Sequence, residues 1–418
     1  MWTRVGFGTT KTFGQVYLSL TPRCAKLWGV TLRQFLAVGN SNASGITLSK
    51  ALRQISDWFQ PAACNRAQRS TAAFTDAGGQ RKTCEPSKSP LRQVATKTER
   101  NFWEIKLAHR PKSFWYPYST LHNVAVLEKL SAAAGLNLLE LCRGACGKVA
   151  DIGAADGDLA FFLERQGLSV DVIDNEYTNF NGLEGARTLK EALNSSVAIR
   201  SVDLDSQFSL AGQEYDAVFF LGTLYHVKNP FFLLECLARI TKYCFVSTRI
   251  AKQTADGQSL SRYPVAYLLG PQECNNDDTN FWIFSDHGLK RLIERTGWNL
   301  LSYFTIGDTI SSTPADPDHD ERAFCLLEKR PPILSANPNP VPATKEAGKT
   351  MISWDTADES IGRVFVSVNG GQEVLFADGR HGSAPAHWIE TGSNYEFRLY
   401  DSDHTRLLDK VVVAAITQ

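Results

Sequence analysis

The 418-residue chain contains no stretch of 18 or more apolar residues. A bilayer-crossing helix needs roughly 20, so no membrane span is expected. Cysteine is present but unorganised: the nine residues at 24, 64, 84, 142, 146, 236, 244, 274 and 325 form no paired framework. This excludes a small disulfide scaffold and suits a reducing, cytoplasmic compartment. Cys142-Arg-Gly-Ala-Cys146 has one residue too many for a redox CxxC and no second pair to complete a zinc site, so free thiols are expected. Acidic residues are scarce only at the start. Residues 1–100 carry 15 Lys/Arg against 4 Asp/Glu, residues 101–330 carry 22 against 29, and residues 331–418 carry 7 against 11. The acidic surplus of the middle segment argues against a nucleic-acid backbone as its ligand, because such binding rests on Lys and Arg.

A chain of this length suggests two or three domains. Residues 1–98 read as a basic extension: from Pro61 to Thr98 no periodicity is sustained, and disorder is expected there. An organellar transit segment, a solvated tail and a start site placed too early all fit this composition. The segment lacks the regular aromatic interleaving of a nucleic-acid-binding arm. Residues 99–330 alternate strand and helix patterns, and residues 331–418 change to period two.

Within the middle segment, Val149-Ala-Asp-Ile-Gly-Ala-Ala-Asp-Gly-Asp-Leu159 reads as strand, tight turn and helix start. Gly153 and Gly157 permit a sharp turn and close backbone approach to a ligand, beside the unpaired amides of a helix N-terminus. A dinucleotide fingerprint requires glycine where Ala155 and Asp158 stand. Asp156 and Asp158 are unfavourable to a pyrophosphate and favourable to a ligand bearing ammonium and sulfonium groups, so the spacing favours S-adenosylmethionine. Ser169–Asp174 is a second strand, ending in a carboxylate 21 residues beyond Gly153. An acid about 20 residues on accepts hydrogen bonds from ribose hydroxyls. Val197–Val202 is a third strand, followed by Asp203, either an adenine-amine acceptor or a plain turn carboxylate. Asp216–Leu221 is a fourth, nearly continuous in apolar residues as a covered parallel strand should be. Gly222-Thr-Leu-Tyr-His226 follows at its carboxyl end, where ligands bind in such sheets. His226 is the candidate general base.

Helices are expected over Glu99–His109, Leu121–Ala134, Glu184–Leu193, Pro230–Ile240 and Asp286–Thr296. A fifth strand is expected at Cys244–Thr248, and a terminal pair at Leu300–Ile306 and Ala323–Glu328. The connection 251–285, with Tyr263, Tyr267 and Trp282, is long enough to be functional; core packing is the alternative for Trp282. Asp316-Pro-Asp-His-Asp-Glu321 matches no calcium-loop spacing and reads as a solvated turn, with no metal expected. Beyond Arg330-Pro-Pro332, the alternation of Val364, Val366 and Val368, the turn Asn369-Gly-Gly371 and the strands Val374–Phe376, Tyr395–Tyr400 and Leu407–Val413 make a small β-sandwich. It resembles immunoglobulin or fibronectin type III modules without their disulfide, with Trp354, Trp388 and Tyr395 in its core. A protein or glycan partner is the expectation for such a module, and a module that binds nothing is the alternative.

Together, Asp151-Ile-Gly-Ala-Ala-Asp-Gly157, Asp174, Asp203 and Gly222–His226 resemble the class I S-adenosylmethionine-dependent methyltransferases. Phe114-Trp-Tyr-Pro-Tyr118, Leu121-His-Asn123, Leu221–His226 and Asn280–Phe284 are similar, more narrowly, to the group related to tRNA wobble-uridine methyltransferases. The resemblance implies a Rossmann-like, seven-stranded α/β sheet with one antiparallel strand at the end of the order, under a helical cap. It implies a cofactor site made by Asp151, Gly153, Ala155, Asp156, Gly157, Asp174, Asp203, Leu204 and Leu221. His226 and Tyr225 stand at the reacting atoms, and Tyr116, Tyr118, His122 and Trp282 on the acceptor side. Ala155 replaces a glycine common in the family. The expected reaction is methyl transfer to a hydroxyl or nitrogen of a small molecule or glycan. Alternatives are a tRNA-modifying enzyme and a cofactor-sensing binding protein; an oxidoreductase is disfavoured by Asp158.

Overall fold

The computed structural model describes residues 89–205, 210, 213–343, 347–357 and 360–417; the expectations for the earlier part of the basic extension lie outside them. Helix α1 (Pro90–Ala108) starts with a proline in its first turn, and the Ser89 hydroxyl accepts the Arg92 N–H at 3.1 Å. The helix thus begins nine residues before Glu99, which corrects the expectation of disorder as far as Thr98. Its buried positions are Ala95, Thr98, Phe102 and Lys106. They follow helical spacing, but two of the four are polar, so hydrophobicity alone shows no stripe.

A 3₁₀ turn at Thr120–Asn123, capped by Ser119, leads into α2 (Val124–Ala133), which buries Val124, Leu127 and Leu130 on one face. After α3 (Leu138–Cys142) the alternation begins: β1 (Lys148–Ile152), α4 (Asp158–Arg165), β2 (Ser169–Asp174), α5 (Glu184–Leu193), β3 (Ala198–Ser201), β4 (Tyr215–Leu221), α6 (Pro230–Ile240) and β5 (Thr241–Ile250). Two short strands follow, β6 (Ala266–Leu268) and β7 (Trp282–Phe284), then α7 (Asp286–Arg295), β8 (Trp298–Gly307) and β9 (Glu321–Lys329).

The main sheet runs β3-β2-β1-β4-β5, with β9 beside β5 and β8 beside β9. The β6–β7 pair joins at the carboxyl end of β5 through Ile250 and Phe284 and brings the sheet to nine strands rather than seven. The antiparallel strand, β9, lies between β5 and β8 rather than at the end of the order. Burial explains the placement. Ala323, Cys325 and Leu327 enter one core cluster and Phe324 and Leu326 the other, so both faces of β9 are covered. β8 is mostly half-buried and takes the edge. One face of the sheet carries α2 and α4; the other carries α6 and α7.

The C-terminal strands are β10 (Ile333–Asn337), β11 (Val341–Ala343), β12 (Gly348–Asp355), β13 (Gly362–Val368), β14 (Val374–Gly379), β15 (His381–Ile389), β16 (Asn394–Tyr400) and β17 (Leu407–Thr417). They form two sheets, β10-β12-β15 and β11-β17-β16-β13-β14, which contribute to one shared core. Trp354 and Tyr395 are buried there, whereas Trp388 is 39% exposed and lies with its ring against Phe376, Tyr395 and Phe397. The expectation of three core aromatics is corrected to that extent.

Candidate functional site

The β1–α4 turn is built by left-handed backbone at Gly153 (φ 72°), Ala155 (φ 54°) and Gly157 (φ 81°). Ala155 therefore occupies backbone that favours glycine, and alanine tolerates the left-handed region at a cost of roughly 1–2 kcal/mol. A Cβ on Gly153 would stand 2.1 Å from Thr223 Oγ1. Only glycine lets the β1 turn meet the loop after β4, which brings together two stretches 70 residues apart.

The acidic pair in this turn is not free. Lys106, from the last turn of α1, is buried and donates to Asp156 at 2.9 Å and to Asp158 at 3.0 Å. Asp156 also accepts from the Tyr116 N–H (3.0 Å) and from Asn181 Nδ2 (2.9 Å), so both its oxygens are engaged within the protein. Gly185 leaves room for this carboxylate: a Cβ there would lie 2.0 Å from Oδ1. Burial pushes Asp156 up to about 6 against the pull of Lys106. Lys106 itself is held above its ordinary value because Asp158 and Asp156 outweigh the effect of burial. Asp156, expected on the ligand, is here an internal hub joining α1, the aromatic segment and the loop before α5. Lys106 offsets part of the charge of the pair, so the two carboxylates repel a pyrophosphate less than they would unpaired.

Asp151 is 3% exposed, and its Oδ2 has no partner in the protein. Burial, then the charge of Asp174, push its carboxyl up to about 8. An orphaned buried oxygen of this kind fits a cationic donor such as the ammonium of an amino acid. Asp174 ends β2, accepts from the Asn175 N–H and Asn179 Nδ2 (2.8 Å each), and is raised to about 6 by burial. A carboxylate keeps further acceptor capacity, so these bonds leave it able to take a ribose hydroxyl. Asp203 accepts from the Asp205 N–H at 2.9 Å, the local turn bond its type favours. Leu204 is buried in the core and Leu221 packs against the opposite core cluster.

Three further expected residues, Tyr116, His122 and Trp282, have structural partners. Tyr116 is buried, accepts from the Phe180 N–H at 3.0 Å and stacks on the Phe180 ring, so it belongs to the wall. His122 pairs with Glu99 at 3.1 Å, tying the 3₁₀ turn to α1; the Glu99 bond holds it above its ordinary value. Trp282 donates to the Lys228 carbonyl at 3.3 Å and packs on a core cluster, the alternative weighed from sequence. Asp320 and Glu321 of the acidic loop are drawn inward, Asp320 to Arg249 at 2.9 Å and Glu321, fully buried, to Lys252 at 3.5 Å, so the expectation of a wholly solvated turn is corrected.

Around the loop after β4 the side chains converge. The Tyr225 and His226 rings lie 4.2 Å apart. Arg322 of β9 reaches over Tyr225 at 5.7 Å, and its Nη1 stands 3.1 Å from where a Cβ of Gly222 would be. Tyr118, 43% exposed, lies edge-on to Tyr116 at 5.6 Å. Arg322 carried no sequence signal, since only the pairing of β9 with β5 brings it here. His226 Nδ1 lies 3.0 Å from Thr279 Oγ1 and 3.2 Å from the Thr279 carbonyl. Burial lowers the imidazole, Arg322 adds to that, and Asp277 opposes it.

Residues 122–303 match the family described as a methyltransferase domain. This part of the chain is a methyltransferase domain. The orphaned oxygen of Asp151 and the carboxylate of Asp174 fit S-adenosylmethionine as the methyl donor. No curated protein is significantly similar in sequence. Among solved structures, the chain is similar to the N-terminal domain of EvdMO1, crystallised in the presence of SAH and D-fucose (19% identity, TM-score 0.36, covering 58% of this chain and 98% of that one). It is also similar to the [4+2]-cyclase SpnF (14%, 0.36, 57% and 93%) and to a putative methyltransferase from Bacillus halodurans C-125 (14%, 0.33, 46% and 98%). Among the described residues no helix of the methyltransferase domain or elsewhere is long and apolar enough to cross a membrane.

Proposed function

We propose that this methyltransferase acts on a hydroxyl of a small molecule or glycan, with His226 as the general base. The observation that carries the proposal is the state of His226. Both groups facing Nδ1 belong to Thr279, while Nε2 has no hydrogen-bond partner among the described residues. Lowered by burial, the ring is neutral at physiological pH and can take a proton. When bound, S-adenosylmethionine supplies an electrophilic methyl whose carbon–sulfur bond breaks as the acceptor's bond to carbon forms. Asp174 would hold the ribose hydroxyls and Asp151 the ammonium. Tyr118 and Tyr225 offer rings and hydroxyls to orient the acceptor. Little more than positioning is asked of the protein, because the carbon is already activated.

The finer likeness to the wobble-uridine group supports the same loop chemistry after β4. The acidic balance of residues 101–330, 22 Lys/Arg against 29 Asp/Glu, favours a small acceptor over an RNA backbone. The C-terminal strands are read as an immunoglobulin- or fibronectin-like module for a protein or glycan partner. The test begins with labelled S-adenosylmethionine and a cell extract, followed by identification of the labelled species. With that acceptor, His226→Ala is expected to lower turnover by about 10²–10⁴-fold with S-adenosylhomocysteine binding retained. Unchanged turnover would remove the base assignment.

A further inference from the structure

We infer that Asp277 and Thr279 are positioning residues for His226, holding the ring in the tautomer that carries its proton on Nδ1 and leaves the Nε2 lone pair free. The inference rests on the reading of His226 as the base. It follows from a proton count along three groups. The Thr279 hydroxyl donates its one proton to Asp277 Oδ1 at 2.7 Å, and the Thr279 N–H donates to the same oxygen at 2.9 Å. With that proton spent, Thr279 Oγ1 offers His226 only lone pairs. The second group at Nδ1 is the Thr279 carbonyl, which can only accept. Two acceptors facing one ring nitrogen require that nitrogen to donate, so in the neutral ring the other nitrogen is the base.

The arrangement is anchored at both ends. The His226 N–H bonds the Thr223 carbonyl at 2.9 Å, and the Phe281 N–H bonds the Tyr225 carbonyl at 2.8 Å, fastening the 275–281 segment to the loop after β4. When an acceptor hydroxyl yields its proton to Nε2, the imidazolium keeps its Nδ1–H on Thr279. The Asp277 carboxylate, one hydroxyl away, then faces the new positive charge, which Arg322 opposes; the Tyr225 ring covers one side. The parts resemble a base oriented by an acid, with a threonine hydroxyl between them.

The experiment is nitrogen-15 NMR of the full chain with labelled histidine, His226 being assigned by loss of its signals in His226→Gln. In the native protein the expected spectrum has a protonated Nδ1 and an unprotonated Nε2, in one tautomer. Thr279→Val is expected to give a mixture of tautomers, and Thr279→Ser to restore the single one. Asp277→Asn is expected to move the His226 titration midpoint to lower pH. A proton on Nε2 in the native chain would overturn the inference, as would unchanged His226 signals in both Thr279→Val and Asp277→Asn. The spectrum needs no acceptor. If the tautomer is as stated and His226→Ala still turns over, the base reading fails while the positioning of the ring stands.

Discussion

Lys106 shows how one side chain changes the meaning of a motif. From the sequence, Asp156 and Asp158 are two negative charges beside a ligand; in the folded chain they share a buried cation. Lys106→Met removes that cation and is expected to destabilise the fold by about 3–5 kcal/mol, the usual cost of leaving a buried partner uncompensated. The loss should be larger at pH 7.5 than at pH 5, where protonation relieves the uncompensated carboxylates; urea denaturation at both values checks this. Asp174 supplies a second test at this scale. Its folded value of about 6 lies above that of the unfolded chain, so its contribution to stability is present below about pH 4 and is lost as pH rises through 6. Ribose hydroxyls bond the ionised form better, so a nucleoside pulls the proton off. Affinity for 5′-methylthioadenosine, which lacks the amino-acid part of the cofactor, is therefore expected to rise as pH increases through about 6. The rise should vanish in Asp174→Asn; calorimetric titration at several pH values measures it.

Among the elements, those with a dense apolar period were legible and those relying on polar contacts were not. β2 (Ser169–Asp174), α5 (Glu184–Leu193) and α6 (Pro230–Ile240) occupy the spans expected from the sequence. α1 was half missed, because its buried stripe includes Thr98 and Lys106 and its start depends on Ser89, which caps the helix and also donates to Glu128 of α2 at 2.6 Å. A chain beginning at residue 99 is accordingly expected to melt several degrees below one beginning at residue 89. The cap alone is worth about 1 kcal/mol, and each kcal/mol shifts the midpoint of a domain this size by roughly 2–4 °C. Differential scanning calorimetry of the two chains decides. Equal midpoints would mean that the first two turns of α1 add nothing. β10, β11, β12 and β15 were also unread: their partners are distant in sequence, and alternation with proline and glycine between them gives little local signal.

For the whole molecule, the relevant fact is that the buried residues fall into separate clusters. Those of the C-terminal strands share no member with the two that flank the main sheet. Two cooperative transitions are therefore expected on heating, and S-adenosylhomocysteine should raise only one. At 100 times its dissociation constant the gain is about 2.7 kcal/mol. A single transition that shifts as a unit would show that the strands beyond residue 330 and the methyltransferase domain unfold together.

The sequence by itself determined the succession of strands and helices, the turn at Gly153–Gly157, the carboxylate at the end of β2 and the histidine after β4. Each of these is written in residues that are neighbours along the chain, where periodicity and turn chemistry act. Only the tertiary structure decided the charge left on the acidic turn, the inner position of β9 and the proton-bearing nitrogen of His226. Lys106 lies 50 residues before Asp156, Arg322 arrives by strand pairing, and Thr279 comes from 53 residues beyond His226. Electrostatics and hydrogen bonding depend on distance in space, and folding brings those groups into contact with partners that no local pattern names.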